Sequence, residues 1–299
     1  MTATPVPLTI VTIAREPLPV LDRFLRWHLG QGAARIIVFL DDPDDPASAA
    51  FAGDPRIDIR PCTDAFWASI GLSPDARFTR RQRAVMNRAY AEVAEGWILV
   101  LDADELMWVQ DRPLPAALAE VPENTTTIRV LSAEQVTLAD GREAFRRPVS
   151  RAEVNEIYGA DAALFRPRHG LVGHPEGKSI HRAGQADIRL KLHWAVDHAG
   201  TAIEGPVWGA DERAYLIHYV APGYDRWRAK MDWRAGAHGF AGPLKDRIAA
   251  IAAQEAPEAG YRALYDRLHS LTEAEETALD AAGGLLRDHP PIPAPIGAA

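Results

Sequence analysis

Asp102, Asp104 and Glu105 gather carboxylates directly behind the apolar run Trp97-Ile98-Leu99-Val100-Leu101. Oxygen ligands suit a hard divalent cation, and such a cation commonly arrives with a phosphorylated substrate. In open α/β sheets ligands bind outside the carboxyl ends of the strands, so the position matches the chemistry. If the backbone stays extended here, Asp102 and Asp104 project to one side with only the small Ala103 between them. Carboxylates held that close repel unless a cation or proton lies between them. The stretch therefore reads as a site for a nucleotide-activated substrate, against the plainer reading of an acidic turn that caps a strand.

Other segments could join it. Asp41-Asp42-Pro43-Asp44-Asp45 follows a second apolar run, where a carboxylate could accept from a ribose hydroxyl or the imide N–H of a base. Between Gly170 and Arg182 glycines alternate with His174, Lys178, His181 and Arg182. Glycines permit close backbone approach, and Lys178 could neutralise a leaving diphosphate. Gly177-Lys178-Ser179 resembles the end of a phosphate-binding loop, but that motif needs a glycine where this chain has Val172. His218 ends an apolar run and is a candidate to complete, through a neutral imidazole, a metal site begun by Asp104. Trp194, Trp208, Trp227 and Trp233 could stack on sugars, although core packing is the commoner role of tryptophan.

Holding these side chains in place calls for alternating strands and helices. Leu8–Ala14, Arg35–Leu40, Arg56–Arg60 and Trp97–Leu101 read as strands. Leu18–Leu29, with apolar residues at helical spacing, and Phe78–Glu95 read as helices. This alternation predicts a parallel sheet. Beyond Asp111 it weakens. Strands are expected at Thr125–Leu131, Gln135–Leu138, Ala162–Phe165, Ile188–His193 and Ala214–His218. Helices are expected at Tyr224–Ala237, Leu244–Ala253 and within Gly260–Ala282. The expected organisation is one catalytic domain over 1–288, with a nucleotide-binding half (8–110), an acceptor and metal-completing half (111–235) and C-terminal helices (236–288). The Pro/Ala-rich tail 289–299 is expected to be disordered.

The 299 residues, 47% of them hydrophobic, can bury a sizeable core. A net charge of −8 without a Lys/Arg run argues against a nucleic-acid partner. Cys62, the single cysteine, excludes an internal disulfide and fits a reducing compartment. No basic-then-apolar leader and no membrane-length apolar run is present, so a cytoplasmic protein is expected. Peripheral contact with the inner face of a membrane is compatible with this, although no strongly basic amphipathic helix calls for it.

Taken together, Val11-Thr12-Ile13-Ala14-Arg15-Glu16, the helix that runs to Trp27-His28, the acidic end of the second strand, Arg81-Gln82 to Asn87, Trp97 to Glu105, Gly177-Lys178-Ser179 and His218-Tyr219 form a pattern. It resembles family 2-like glycosyltransferases of the GT-A fold, in the branch that includes the domain-of-unknown-function group 23 and its bacterial relatives. The resemblance runs from about Leu8 to Lys230, and it departs at Arg15-Glu16-Pro17, where relatives commonly carry Asn or Asp before the glutamate. It implies a GT-A-like, Rossmann-like, mostly parallel sheet flanked by helices, with a mixed α/β second half. It further implies a nucleotide-diphosphosugar donor, Mn²⁺ or Mg²⁺ on Asp102 and Asp104 with His218, and transfer to a glycan or lipid-linked acceptor hydroxyl. By the same resemblance Ala14, Arg15, Glu16, Asp41, Asp42 and Arg81 line the nucleotide pocket, and Lys178 faces the diphosphate.

Such a reaction also needs a proton acceptor, for which Glu105, Glu176, Asp197 and Asp211 are all candidates. Two other functions compete. A sugar-phosphate nucleotidyltransferase would use the same strand-end carboxylates, but the Gly-rich, basic loop it needs is absent after Ile13. A non-catalytic sugar-binding protein could keep the fold without turnover.

Overall fold

The computed structural model describes residues 6–221, 223–235 and 242–293. The chain opens with β1 (Leu8–Ala14), α1 (Leu18–Gly30), β2 (Arg35–Leu40), α2 (Ala47–Ala50) and β3 (Ile57–Pro61). Next come α3 (Asp64–Ser69), α4 (Phe78–Glu92), β4 (Trp97–Val100), β5 (Glu105–Val109), α5 (Leu114–Ala119) and β6 (Thr127–Val130). After β7 (Ser132–Thr137), β8 (Glu143–Arg146), α6 (Arg151–Tyr158) and α7 (Ala162–Phe165), the chain forms β9 (Lys178–Arg182). Short strands β10 (Arg189–Leu190), β11 (Ala195–Val196), β12 (Ala202–Ile203) and β13 (Val207–Trp208) lead to β14 (Ala214–His218). Helices α8 (Tyr224–Ala235), α9 (Pro243–Ala252), α10 (Glu258–His269) and α11 (Glu273–Ala281) precede the last strand, β15 (Leu285–Leu286).

These elements form two compact units. The chain to Leu131 and Glu176–Leu216 build the first unit; Ser132–Pro175 and Ile217–Pro290 build the second. The first unit is discontinuous in sequence because β6, β9 and β13 return to the sheet begun by β1.

That sheet runs β13-β6-β9-β4-β1-β2-β3. All its pairings are parallel except those of β9, which is antiparallel to both β4 and β6. Every residue of β1 is buried, as expected of a strand covered on both faces. On one face Val11, Ile13, Ile37, Phe39, Ile98 and Val100 pack with Val85, Met86 and Ala89 of α4. Helix α1 packs against β2 and β5, and its Trp27 indole donates to the Met107 carbonyl at 2.8 Å. The mostly parallel, helix-flanked sheet expected from the pattern is thus present.

Strand β9 was not expected: the Gly170–Arg182 segment reads as a basic loop, yet Lys178–Arg182 lies inside the sheet. Gly177, just before it, has φ +66°, and a Cβ there would lie 1.8 Å from the Val130 carbonyl oxygen. Its glycine serves the approach of two backbones, and phosphate binding is not needed to explain it. Gly177→Ala should destabilise the fold by about 3 kcal/mol or more, in the range of severe substitutions. Urea unfolding measures this, and a midpoint unchanged from wild type would contradict the assignment.

In the second unit β15, β8 and β7 form an antiparallel array. Ala162–Phe165, expected as a strand, is the short helix α7, where Phe165 stacks on Tyr158 with ring centroids 4.1 Å apart. Apolar alternation over so few residues does not separate strand from buried helix. Helix α6 begins with a capping box, the Ser150 side chain accepting from the Glu153 N–H while Glu153 accepts from the Ser150 N–H. Helix α8 ends at Ala235, and the expected continuation to Ala237 lies outside the described residues, as does the tail from 294. Among the described residues no helix is long and apolar enough to cross a membrane.

Candidate nucleotide site

Strands β2, β1 and β4 lie side by side with their carboxyl ends together, and chain order reverses direction between β1 and β4. A reversal of that kind opens the crevice in which open α/β sheets bind ligands. Arg15 follows β1, Asp41 follows β2 and Asp102 follows β4, so these three expected site residues lie at one end of one sheet.

Beside β2 lies a cavity of about 360 Å³ lined in part by Arg15, Asp41, Asp42, Cys62, Trp67 and Arg81. The Asp41 carboxylate is almost wholly buried, and its Oδ2 accepts from Arg81 Nη2 at 2.6 Å. Arg81 Nη1 also donates to the carbonyls of Pro74 and Ala76, and its guanidinium lies 5.7 Å from the Trp67 ring centroid. Asp41 Oδ1 and Arg81 Nε are nevertheless buried without a hydrogen-bond partner. Leaving a buried donor or acceptor unmade costs about 1–3 kcal/mol, more when charged, so this pair is set to receive a ligand. Burial, and then the negative charge of Asp41, push the Cys62 thiol up to about 12, which leaves it an inert wall. Neither Trp67 nor Cys62 had a signal in the sequence beyond being apolar.

Behind β4 the acidic residues do not continue the strand. They form a turn in which the Glu105 N–H donates to the Asp102 carbonyl at 3.0 Å, so strand alternation does not govern Asp102 and Asp104. Glu105, a candidate proton acceptor in the sequence, is buried. It accepts from the Asp102 N–H at 2.8 Å and lies 3.1 Å from the Lys178 ammonium, so it braces the turn. Lys178, expected to face a diphosphate, is buried too and donates to Asp102 Oδ2 at 2.9 Å. Burial alone would lower its pKa, but Asp102 and then Glu105 raise it above the usual lysine value, so it stays charged. Gln82 of α4 donates to Asp102 Oδ1 at 2.6 Å. The sequence pattern included Gln82, but nothing in it paired Gln82 with Asp102, which lies 20 residues further along the chain.

Among the described residues no three His, Cys, Asp or Glu side chains form a metal cage. Asp104, half-buried on the turn beside Asp102, offers a hard carboxylate donor. A Mg²⁺-like ion commonly takes one or two carboxylates and completes its shell with water and substrate phosphates, which this donor set fits. Ala14 is buried at the end of β1, and Glu16 is half-buried before α1. His218 belongs to the second unit, where a Cβ on Gly173 would lie 3.1 Å from its ring and 2.5 Å from Glu134.

Strand order, switch point and acidic turn define an α/β chain built on a mostly parallel, Rossmann-like sheet flanked by helices. No family model matches it, and no curated protein sequence matches it. Among solved structures, HddC from Yersinia pseudotuberculosis is similar at 12% identity and TM-score 0.38, over 76% of this chain and 99% of that one. A 4-diphosphocytidyl-2C-methyl-D-erythritol synthase is similar at 13% identity and TM-score 0.31, over 96% and 95%. At that distance neither likeness says what this chain does.

Proposed function

We propose that this protein is a transferase that binds a nucleotide-activated sugar, with the base in the Asp41–Arg81 cavity and the phosphates near the Asp102–Asp104 turn. The supporting observation is the buried, unpartnered pair of Asp41 Oδ1 and Arg81 Nε, in two residues that line an open cavity beside β2 at the carboxyl end of the sheet. An acceptor beside a donor complements a ring N–H beside a carbonyl, the edge that uracil, thymine and guanine share. Cytosine and adenine have no ring N–H on that edge and are disfavoured.

Glycosyl transfer is the finer reading. Only Arg15, Glu16 and Pro17 separate β1 from α1, without a glycine, so no backbone cradle for a triphosphate follows β1. A metal held by Asp104 would offset charge on a departing diphosphate, and a glycan or lipid-linked hydroxyl would accept the sugar. Nucleotidyl transfer to a sugar phosphate remains the rival outcome.

A thermal-shift screen with UDP, dTDP, GDP and CDP, each with and without Mn²⁺, tests the binding reading, because a ligand of the native state raises its melting temperature. Shifts with UDP, dTDP or GDP but not CDP, weakened in Asp104→Ala, are expected. Turnover then separates the two reactions. Release of a nucleoside diphosphate from a nucleotide sugar supports glycosyl transfer, whereas pyrophosphate release from a nucleoside triphosphate and a sugar phosphate supports the rival. No shift with any nucleotide would remove both and favour a non-catalytic sugar-binding protein.

A further inference from the structure

We infer that Lys178 is a resident cation of the acidic turn: with Gln82 it holds Asp102 ready to receive a nucleoside hydroxyl before any divalent ion is bound. This rests on the nucleotide reading above and adds to it an order of events.

The geometry is specific. Gln82 holds one oxygen of Asp102 at 2.6 Å and Lys178 the other at 2.9 Å. The same ammonium lies 3.1 Å from Glu105, whose carboxylate accepts the Asp102 N–H at 2.8 Å. The Lys178 side chain is 3% exposed and that of Asp102 42%, so the brace is on the inside and the carboxylate faces out. Sheet register brings this about. β9 runs antiparallel to β4 with Ile180 opposite Leu99, and extending that register sets Lys178 opposite Leu101, next to the turn.

Carboxylates this close need a cation between them. Where a metal does this work, the turn is organised only once the metal is bound. Here the charge belongs to a side chain fixed in a central strand, so the turn is organised in advance, which lowers the cost of binding. A second cation directly on Asp102 Oδ2 would be repelled by the ammonium already there. The divalent ion is thus left to Asp104 and the phosphates. Gln82 and Lys178 act through Asp102 and are positioning residues.

The test is calorimetric titration with UMP, in EDTA and in Mn²⁺. Wild-type protein should bind UMP with dissociation constants within about twofold in the two conditions. Gln82→Leu should weaken binding about tenfold in both, as loss of one hydrogen bond to a charged group predicts. Lys178→Met should bind in Mn²⁺ but lose about tenfold or more in EDTA, because the metal then supplies the missing charge. A merely structural lysine would lower the melting temperature without creating a metal requirement. If Lys178→Met does not fold, Gln82→Leu decides alone. Wild-type UMP binding that EDTA abolishes, or a folded Gln82→Leu that binds as wild type, would overturn the inference and leave the nucleotide reading standing. Failure of wild type to bind UMP, dTMP or GMP in either condition would remove both.

Discussion

Asp41→Asn should lower affinity for uridine nucleotides by about 10- to 100-fold, the worth of a hydrogen bond to a charged group, while affinity for cytidine nucleotides rises. The Asp41 side chain is 3% exposed and its residue lines the cavity, with one oxygen on Arg81 and the other buried without a partner. An asparagine can keep its carbonyl toward Arg81 and turn its amide toward the cavity. That exchange replaces the acceptor that a uracil imide N–H needs with a donor that suits cytosine N3. Asparagine is the informative choice because truncation to alanine would strand the Arg81 guanidinium, and breaking a buried pair costs about 3–5 kcal/mol. Calorimetric titration with UMP and CMP, after a melting curve shows the variant folded, measures the switch. Unchanged UMP affinity would mean the base does not sit at Asp41.

Acid should destabilise the protein strongly between pH 7.5 and 5. Burial, the largest cause in each case, lowers the pKa of His28, His181 and His269 from 6.5 to about 3, with the Arg146 cation adding to the effect on His269. His28 shows why the neutral form is required. Its Nδ1 lies 2.9 Å from the Phe24 carbonyl oxygen and its Nε2 accepts the Met107 N–H at 3.2 Å, so a proton on Nε2 would meet another donor. His181 lies within 3.0 Å of the Thr127 hydroxyl in the first unit, and His269 lies in the second. The folded pKa values lie below the unfolded one, so the unfolded chain takes up protons first as pH falls. The stability these groups contribute is full above about pH 6.5 and is lost as pH drops toward 3, at about 2 kcal/mol per histidine by pH 5. Urea midpoints at pH 7.5 and 5 measure the sum. His28→Gln should reduce the slope by about one histidine's share, and a pH-independent midpoint would show that these histidines take up protons equally in the folded and unfolded chain.

What could be read from the sequence was whatever local pattern encodes. The apolar runs of β1, β2, β4 and β14 matched buried strands, and the periodicity of Leu18–Leu29 and Phe78–Glu95 matched α1 and α4 to within a few residues. The acidic ends of β2 and β4 marked where those strands end, because ionised groups behind apolar runs must leave the core there. Local pattern was a poorer guide where neighbours decide. Ala162–Phe165 is helical through stacking on Tyr158, and Lys178–Arg182 becomes a strand because β4 and β6 leave a slot between them.

The chain by itself determined the βα alternation, the carboxylates that could meet a ligand, and the lack of an internal disulfide with one cysteine. Tertiary structure alone decided which of those groups touch. Lys178 meets Asp102 across 76 residues, and Arg81 meets Asp41 across 40. Gln82, which the sequence offered only as part of the α4 pattern, completes the turn. Register between distant strands is set by the sum of many packing contacts, so no short window carries it. The sequence names the charges, and the sheet decides which of them are already neutralised before a ligand arrives.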